Sequence, residues 1–104
     1  MGRKKKPYGL TGRTEDGKMV MTGAYFFTAT YGFPLVDLLF ELSDANAVVD
    51  WIDYYESALE LGMKSDRILK RIESATCEAY SESYSKEVMD RFELYLKQGE
   101  ENGK

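Results

Sequence analysis

The tripeptide Gly32-Phe33-Pro34 constrains the fold more than any other part of the sequence, because it interrupts a long apolar stretch. Glycine is the usual residue at the left-handed position that ends a helix. Proline lacks a backbone N–H and suits the first position of a helix, where that donor has no partner. We therefore expect Gly32 to end one segment, Pro34 to begin a helix, and Phe33 to fill the corner between them.

Four segments from this corner onward have the spacing of amphipathic helices. The clearest of them places Val48, Ile52 and Leu59 on one face, as 3.6 residues per turn requires. Short polar or glycine-containing connections separate the four segments, which are 34–42, 47–61, 66–80 and 86–97. Together with a first helix before Gly32, they predict an all-α fold, a compact bundle of four to five short helices.

The N-terminal part of the chain lacks this periodicity and has the opposite charge. Residues 1–20 carry six Lys or Arg and two acidic residues, whereas residues 21–104 carry eight Lys or Arg and sixteen acidic residues. This contrast predicts a basic, flexible arm, with a small hairpin around the turn signal Asp16-Gly17 as the alternative. The predicted organisation is an arm (1–21), one helical domain (22–98) and a frayed tail (99–104).

The composition lacks most of the side chains that enzymes use. There is no histidine, which is the commonest general base and metal ligand. The single cysteine, Cys77, can form neither an internal disulfide nor a metal cluster. No apolar run approaches the roughly 20 residues of a membrane helix, and no apolar segment of a secretory signal follows the basic N-terminus. We expect a cytoplasmic protein that is not an enzyme, has no cofactor and does not bind membranes.

Residues 22–35, with the sequence Thr-Gly-Ala-Tyr-Phe-Phe-Thr-Ala-Thr-Tyr-Gly-Phe-Pro-Leu, resemble a segment of alanyl-tRNA synthetases. In that family a short helix ends in a Thr-Tyr-Gly-Phe-Pro motif, within the helical region that recognises tRNA. The resemblance implies that residues 24–31 are helical, although their aromatic and β-branched side chains also suit a buried strand. Val49-Asp50, followed by Tyr54 or Tyr55, lies at a comparable distance from the motif.

The resemblance extends over residues 22–61 and excludes the synthetase catalytic core, which is larger than this whole chain. It therefore implies no aminoacylation activity. Small phage or prophage proteins carry the same motif, and this chain is similar to them in size. The motif itself is predicted to be a structural corner of the fold, so we expect the binding function to lie elsewhere.

The first candidate surface is acidic and aromatic and lies on the predicted helix 47–61. Surplus tyrosine and tryptophan on such a surface suit protein binding, while packing at the edge of the core is the alternative explanation. The predicted protein-binding residues are Trp51, Tyr54, Asp53, Glu56 and Glu60.

The second candidate surface is basic, and it combines the arm with one face of the predicted helix 66–80. Cations of this kind contact phosphate groups, although a solvated tail and an ordinary exposed helix face are the alternatives. The predicted nucleic-acid-binding residues are Arg3, Lys4, Lys5, Lys6, Arg67, Lys70 and Arg71.

These features together predict a small intracellular protein of phage type that binds a macromolecule. Because most of the chain is acidic and rich in tyrosine, the first prediction is an adaptor or inhibitor with a protein partner. The alternative is an RNA- or tRNA-binding module that uses the basic residues. A homodimer through the spare aromatic side chains is also open.

Overall fold

A computed structural model describes residues 9–102 of this chain and the side chains of residues 9–98. Five helices and three strands follow one another in the order β1 (Gly9–Arg13), β2 (Met19–Thr22), α1 (Ala24–Tyr31), α2 (Leu35–Asp44), β3 (Ala47–Val49), α3 (Trp51–Glu60), α4 (Ser65–Ala79) and α5 (Glu82–Asn102). The strands form one sheet in the order β1-β2-β3. The prediction of an all-α fold is therefore wrong, although most of the described chain is helical.

The strand β3 is one reason for this error. Residues 47–49 were assigned to the start of a helix, but they pair in parallel with β2, with Val20 opposite Val48. The helix begins only at Trp51, because the side chain of Asp50 accepts a hydrogen bond from the backbone of Asp53 at 3.1 Å and caps it. A strand of three residues is too short to display the alternation by which strands are recognised.

The hairpin of β1 and β2 replaces most of the predicted flexible arm. The two strands pair antiparallel across a turn in which Gly17 has a φ of 89° and its N–H donates to the carbonyl oxygen of Thr14. The hairpin alternative predicted around Asp16-Gly17 is therefore the observed structure over residues 9–22. The remainder of the predicted arm, residues 1–8, lies outside the described residues.

The corner at Gly32-Phe33-Pro34 is confirmed. Gly32 has left-handed torsion angles, φ 62° and ψ 29°, and its N–H donates to the carbonyl oxygen of Thr28. Pro34 is extended and lies at the cap position of α2, so the helix begins at Leu35, one residue later than predicted. Phe33 packs edge-on against Phe27, with 5.6 Å between the ring centroids. The helix implied for residues 24–31 is likewise confirmed.

The core lies where α2, α3, α4 and α5 meet. Its largest fully buried side chains are Tyr54, Phe92, Leu39, Ile68, Ile72, Val88 and Thr76. Tyr80 ends α4 and donates a 3.3 Å hydrogen bond to the carbonyl oxygen of Leu39 in α2, which fixes the junction between α4 and α5. The last helix starts four residues earlier than predicted and continues to Asn102, so part of the predicted frayed tail is helical.

Within the residues that the structure describes, no helix combines the length and the apolar character needed to cross a membrane.

Substitution of Gly32 tests the corner. No atom lies within 4 Å of the position that a Cβ would take, so Gly32→Ala introduces backbone strain without a clash. Because a left-handed L-residue costs about 1–2 kcal/mol, we expect the free energy of unfolding in urea to fall by about 1 kcal/mol. Gly12→Ala is the control, since Gly12 has equal space and no positive φ. Equal losses in both variants would contradict this account of the corner.

Candidate functional site

A cleft of about 730 Å³ opens between α1, the corner and α4, with α3 beneath it. Its lining combines aromatic, apolar and cationic side chains from all four parts: Tyr25, Thr28, Ala29, Phe33, Pro34, Leu35, Val36, Tyr54, Arg67, Lys70, Arg71, Ser74 and Ala75. A volume of this size is typical of sites that hold a small molecule or one unit of a polymer.

One wall of the cleft is the cationic face of α4. Arg67, Lys70, Arg71 and Ser74 follow the spacing i, i+3, i+4 and i+7, which brings them to one side of a helix. All four side chains are exposed. The opposite side of α4 is buried, with Ile68 and others in the core, and this fixes the rotation of the helix. The chain thus gathers three of the seven predicted nucleic-acid-binding residues in one cleft.

The other four predicted nucleic-acid-binding residues are Arg3, Lys4, Lys5 and Lys6, and they lie outside the described residues.

The wall opposite α4 is largely apolar. Phe33 and Pro34 come from the corner, Leu35 comes from the start of α2, and Tyr25 comes from α1. Tyr25 and Phe33 are partly exposed, so their rings contact both the core and the space of the cleft. The corner was predicted to be purely structural, but it also forms a wall of the candidate site.

Tyr54 forms the floor of the cleft, and its side chain is completely buried. Its ring packs edge-on against the rings of Tyr25 at 5.5 Å and Trp51 at 5.8 Å. Among the described residues its hydroxyl group finds no hydrogen-bond partner of acceptable geometry. Burial raises the pKa of this hydroxyl, and the neighbouring Arg71 partly opposes that increase, through a hydrogen-bonding approach to the hydroxyl and through its positive charge.

The predicted protein-binding surface does not present its two aromatic residues to solvent. Trp51 is 7% exposed, and its indole N–H donates to the hydroxyl of Tyr84 at 3.1 Å. Tyr54 is fully buried beneath the cleft. The interpretation of both as exposed binding aromatics is therefore corrected, because α1 and α4 pack against α3 and α5 contacts it through Phe92. Packing at the core is the alternative that the structure supports.

Two of the acidic residues predicted for protein binding make contacts within the chain. The Asp53 carboxylate accepts a 2.8 Å hydrogen bond from the backbone N–H of Gly23, thirty residues earlier, at the start of α1. Glu56 accepts a hydrogen bond from the hydroxyl of Tyr95 in α5. Glu60, the last residue of α3, is exposed. No local pattern indicates the Asp53 contact, because its two partners are thirty residues apart in the sequence.

The part of the chain that the structure describes contains no candidate metal site. No three His, Cys, Asp or Glu side chains among these residues are grouped so that they could hold a metal ion. Cys77 is a free, exposed thiol on α4.

Comparisons of this chain with protein-family models, with curated proteins and with solved structures found no match. The resemblance of residues 22–35 to alanyl-tRNA synthetases therefore stays a prediction, and the function has to be argued from the cleft.

The role of Asp53 can be separated from that of a surface acid by comparing two variants. Asp53→Ala leaves the buried N–H of Gly23 without a partner, which costs about 1–3 kcal/mol. Glu60→Ala removes the same charge from the exposed end of the same helix. We expect Asp53→Ala to lower the free energy of unfolding by that amount and Glu60→Ala to leave it nearly unchanged. Equal effects would show that Asp53 is not a structural tie.

Two tyrosines should make the protein less stable at alkaline pH. The hydrogen bond to Glu56 raises the pKa of Tyr95 from 10.0 to about 12, and burial raises that of Tyr80 to about 12. At a pH between 10.0 and about 12, the two tyrosines have lost their protons in the unfolded chain but keep them in the folded protein. The stabilisation is therefore complete below the unfolded pKa and is lost as the pH rises through the folded pKa.

Urea unfolding across this alkaline range, with ultraviolet titration of tyrosinate, measures the effect. We expect the free energy of unfolding to decline less steeply in Glu56→Gln, because that substitution removes the carboxylate that holds the proton of Tyr95. An unchanged decline in this variant would contradict the assignment.

Proposed function

We propose that this protein binds RNA, as a module without catalytic activity, through the cleft between α1, the corner and α4. The observation that carries the proposal is the convergence of Arg67, Lys70 and Arg71 on one cleft whose opposite wall is aromatic and apolar. Single-stranded nucleic acids are bound by this combination, in which cations contact the phosphates and aromatic rings contact the bases.

The shape of the cleft favours a single strand over a duplex. Sequence-reading proteins bind RNA mainly at loops and ends, where an unstacked base can leave the strand and pack against an aromatic ring. Tyr25 and Phe33 offer such rings on the wall that faces the cations. A duplex keeps its bases stacked inside and presents only its backbone to a concave cleft.

The distribution of charge confines this binding to one face of the molecule. Residues 21–104 carry twice as many acidic as basic residues, and the acidic surfaces repel phosphate. Arg67, Lys70 and Arg71 therefore provide a local attraction within an unfavourable surrounding field. The four basic residues Arg3 to Lys6 would increase the electrostatic part of the affinity for RNA beyond what the cleft provides.

A protein partner is the second candidate, and one observation favours it. Leu59 and Leu61 are 41% and 57% exposed on either side of Glu60, at the end of α3. Exposed large apolar side chains beside a charged residue are common at protein interfaces. The end of α3 replaces the buried Trp51 and Tyr54 as the place where an adaptor or inhibitor would contact its partner.

Neutralising the cleft tests the RNA proposal. We expect Arg67→Gln/Lys70→Gln/Arg71→Gln to weaken binding of a fluorescent oligouridylate, and to reduce the slope of log K against log salt by about 2. The matched control is Lys86→Gln/Arg91→Gln/Lys97→Gln, which removes three equally exposed positive charges from α5. Fluorescence anisotropy at several salt concentrations measures both affinity and slope.

Several outcomes would overturn the proposal. Equal losses in the two triple variants would show that the attraction is not localised in the cleft. Absence of oligouridylate binding at low salt would exclude RNA and leave the end of α3 as the better candidate. Equal affinity for duplex DNA would contradict the preference for a single strand. Neutralising Arg3 to Lys6 separately measures the share that the N-terminal cations contribute.

A further inference from the structure

The hydroxyl group of Tyr54 is the least satisfied polar group at the cleft. Its side chain is 0% exposed, and within the described part of the chain the hydroxyl makes no hydrogen bond of regular geometry, with only the donor Arg71 close to it. Leaving a polar group buried and unpaired is unfavourable, and phenylalanine would fill the same space without that disadvantage. A tyrosine at this position therefore calls for an acceptor for its hydroxyl proton.

The polar groups of two neighbouring aromatic residues have hydrogen-bond partners within the chain. Tyr55, the next residue along α3, is also buried, and its hydroxyl lies 2.7 Å from the Ser65 hydroxyl. The indole N–H of Trp51 donates to Tyr84. Tyr54 differs from both, and it is also the one of these three that lines the cleft.

The chemistry around the hydroxyl indicates which kind of partner is missing. Arg71 lies beside Tyr54 and lines the same cleft. A guanidinium group offers only donors, whereas a tyrosine hydroxyl offers one donor and can also accept. Even where Arg71 donates to the hydroxyl oxygen, the hydroxyl proton is still unpaired. The Tyr54 hydroxyl and the Arg71 guanidinium therefore lack a common acceptor. An anionic oxygen can accept a hydrogen bond from each of them.

We propose that Tyr54 and Arg71 together hold one phosphate group in the cleft, with the Tyr54 hydroxyl donating a hydrogen bond to a phosphate oxygen. This assignment rests on the proposed function, which makes the phosphate part of an RNA strand. Arg71 is exposed and has a long side chain, so it moves aside and admits the oxygen to the hydroxyl. The base next to this phosphate then lies against Tyr25 and Phe33.

The test compares Tyr54→Phe with Tyr55→Phe in two measurements, the affinity for oligouridylate and the midpoint of thermal unfolding. Tyr54→Phe should bind about tenfold more weakly, the effect of one hydrogen bond to a charged group, with an equal or higher midpoint. Tyr55→Phe leaves Ser65 unpaired, so it should bind as the unmodified protein does and unfold at a lower temperature.

Tripolyphosphate as a second probe separates the phosphate site from the RNA proposal. If oligouridylate fails to bind but tripolyphosphate raises the unfolding midpoint of the unmodified protein more than that of Tyr54→Phe, the phosphate site stands and the RNA proposal falls. If oligouridylate binds through the α4 cations and Tyr54→Phe binds it equally well, the role of Tyr54 is overturned alone. If neither probe binds, the phosphate site is overturned as well.

Discussion

The hydrogen bond from the backbone N–H of Gly23 to the Asp53 carboxylate joins the start of α1 to the first turn of α3, and the cleft depends on it. The helix α1 has eight residues and no side-chain cap at Gly23, and an isolated helix of this length is not stable in water. Gly23 is buried, so its N–H needs a partner inside the protein. Asp53 supplies this partner, and the position of α1 therefore follows from that of α3.

The position of α3 is fixed in turn by the sheet. The backbone N–H of Asp50 donates to the carbonyl oxygen of Met21 at the end of the β2-β3 pairing, and the Asp50 side chain caps α3. A series of local contacts thus runs from β2 through Asp50 to Asp53 and on to Gly23. The sheet is small, but it determines where α1 lies, and α1 forms one wall of the cleft. This explains why a mostly helical chain retains three short strands.

The parts of the fold that could be predicted are those governed by short-range rules. The corner follows from the properties of Gly32 and Pro34 alone, and the burial of α4 follows from Ile68 and Ile72 at helical spacing. The strand β3 could not be predicted in this way, because parallel pairing joins residues that are far apart in the sequence and leaves no local pattern. Three residues such as Ala47–Val49 fit the start of a helix equally well.

The candidate site shows the same division. The cationic stripe Arg67, Lys70 and Arg71 was predicted because helical spacing alone places these residues together. Tyr54 was predicted as an exposed residue, since adjacent aromatic residues on one helix cannot all face the same side. Its burial results from the packing of both α1 and α4 against α3. No sequence pattern states how many sides of a helix are covered, so the floor of the cleft was missed.

The cleft has a cationic wall and an apolar wall, and neither of them alone discriminates well among anions. This suggests a reason for a buried hydroxyl at its floor. An apolar cleft with exposed cations attracts many anions through long-range charge, but such attraction is weak in salt and discriminates little among them. A buried hydroxyl adds a short-range requirement, because only a ligand that brings an acceptor to the correct point satisfies it. Under the proposed phosphate site, the cost of leaving the Tyr54 hydroxyl proton without an acceptor becomes a difference in affinity between ligands. The excess of acidic residues over residues 21–104 favours the same selection, because it weakens the attraction of phosphate to the rest of this part of the chain.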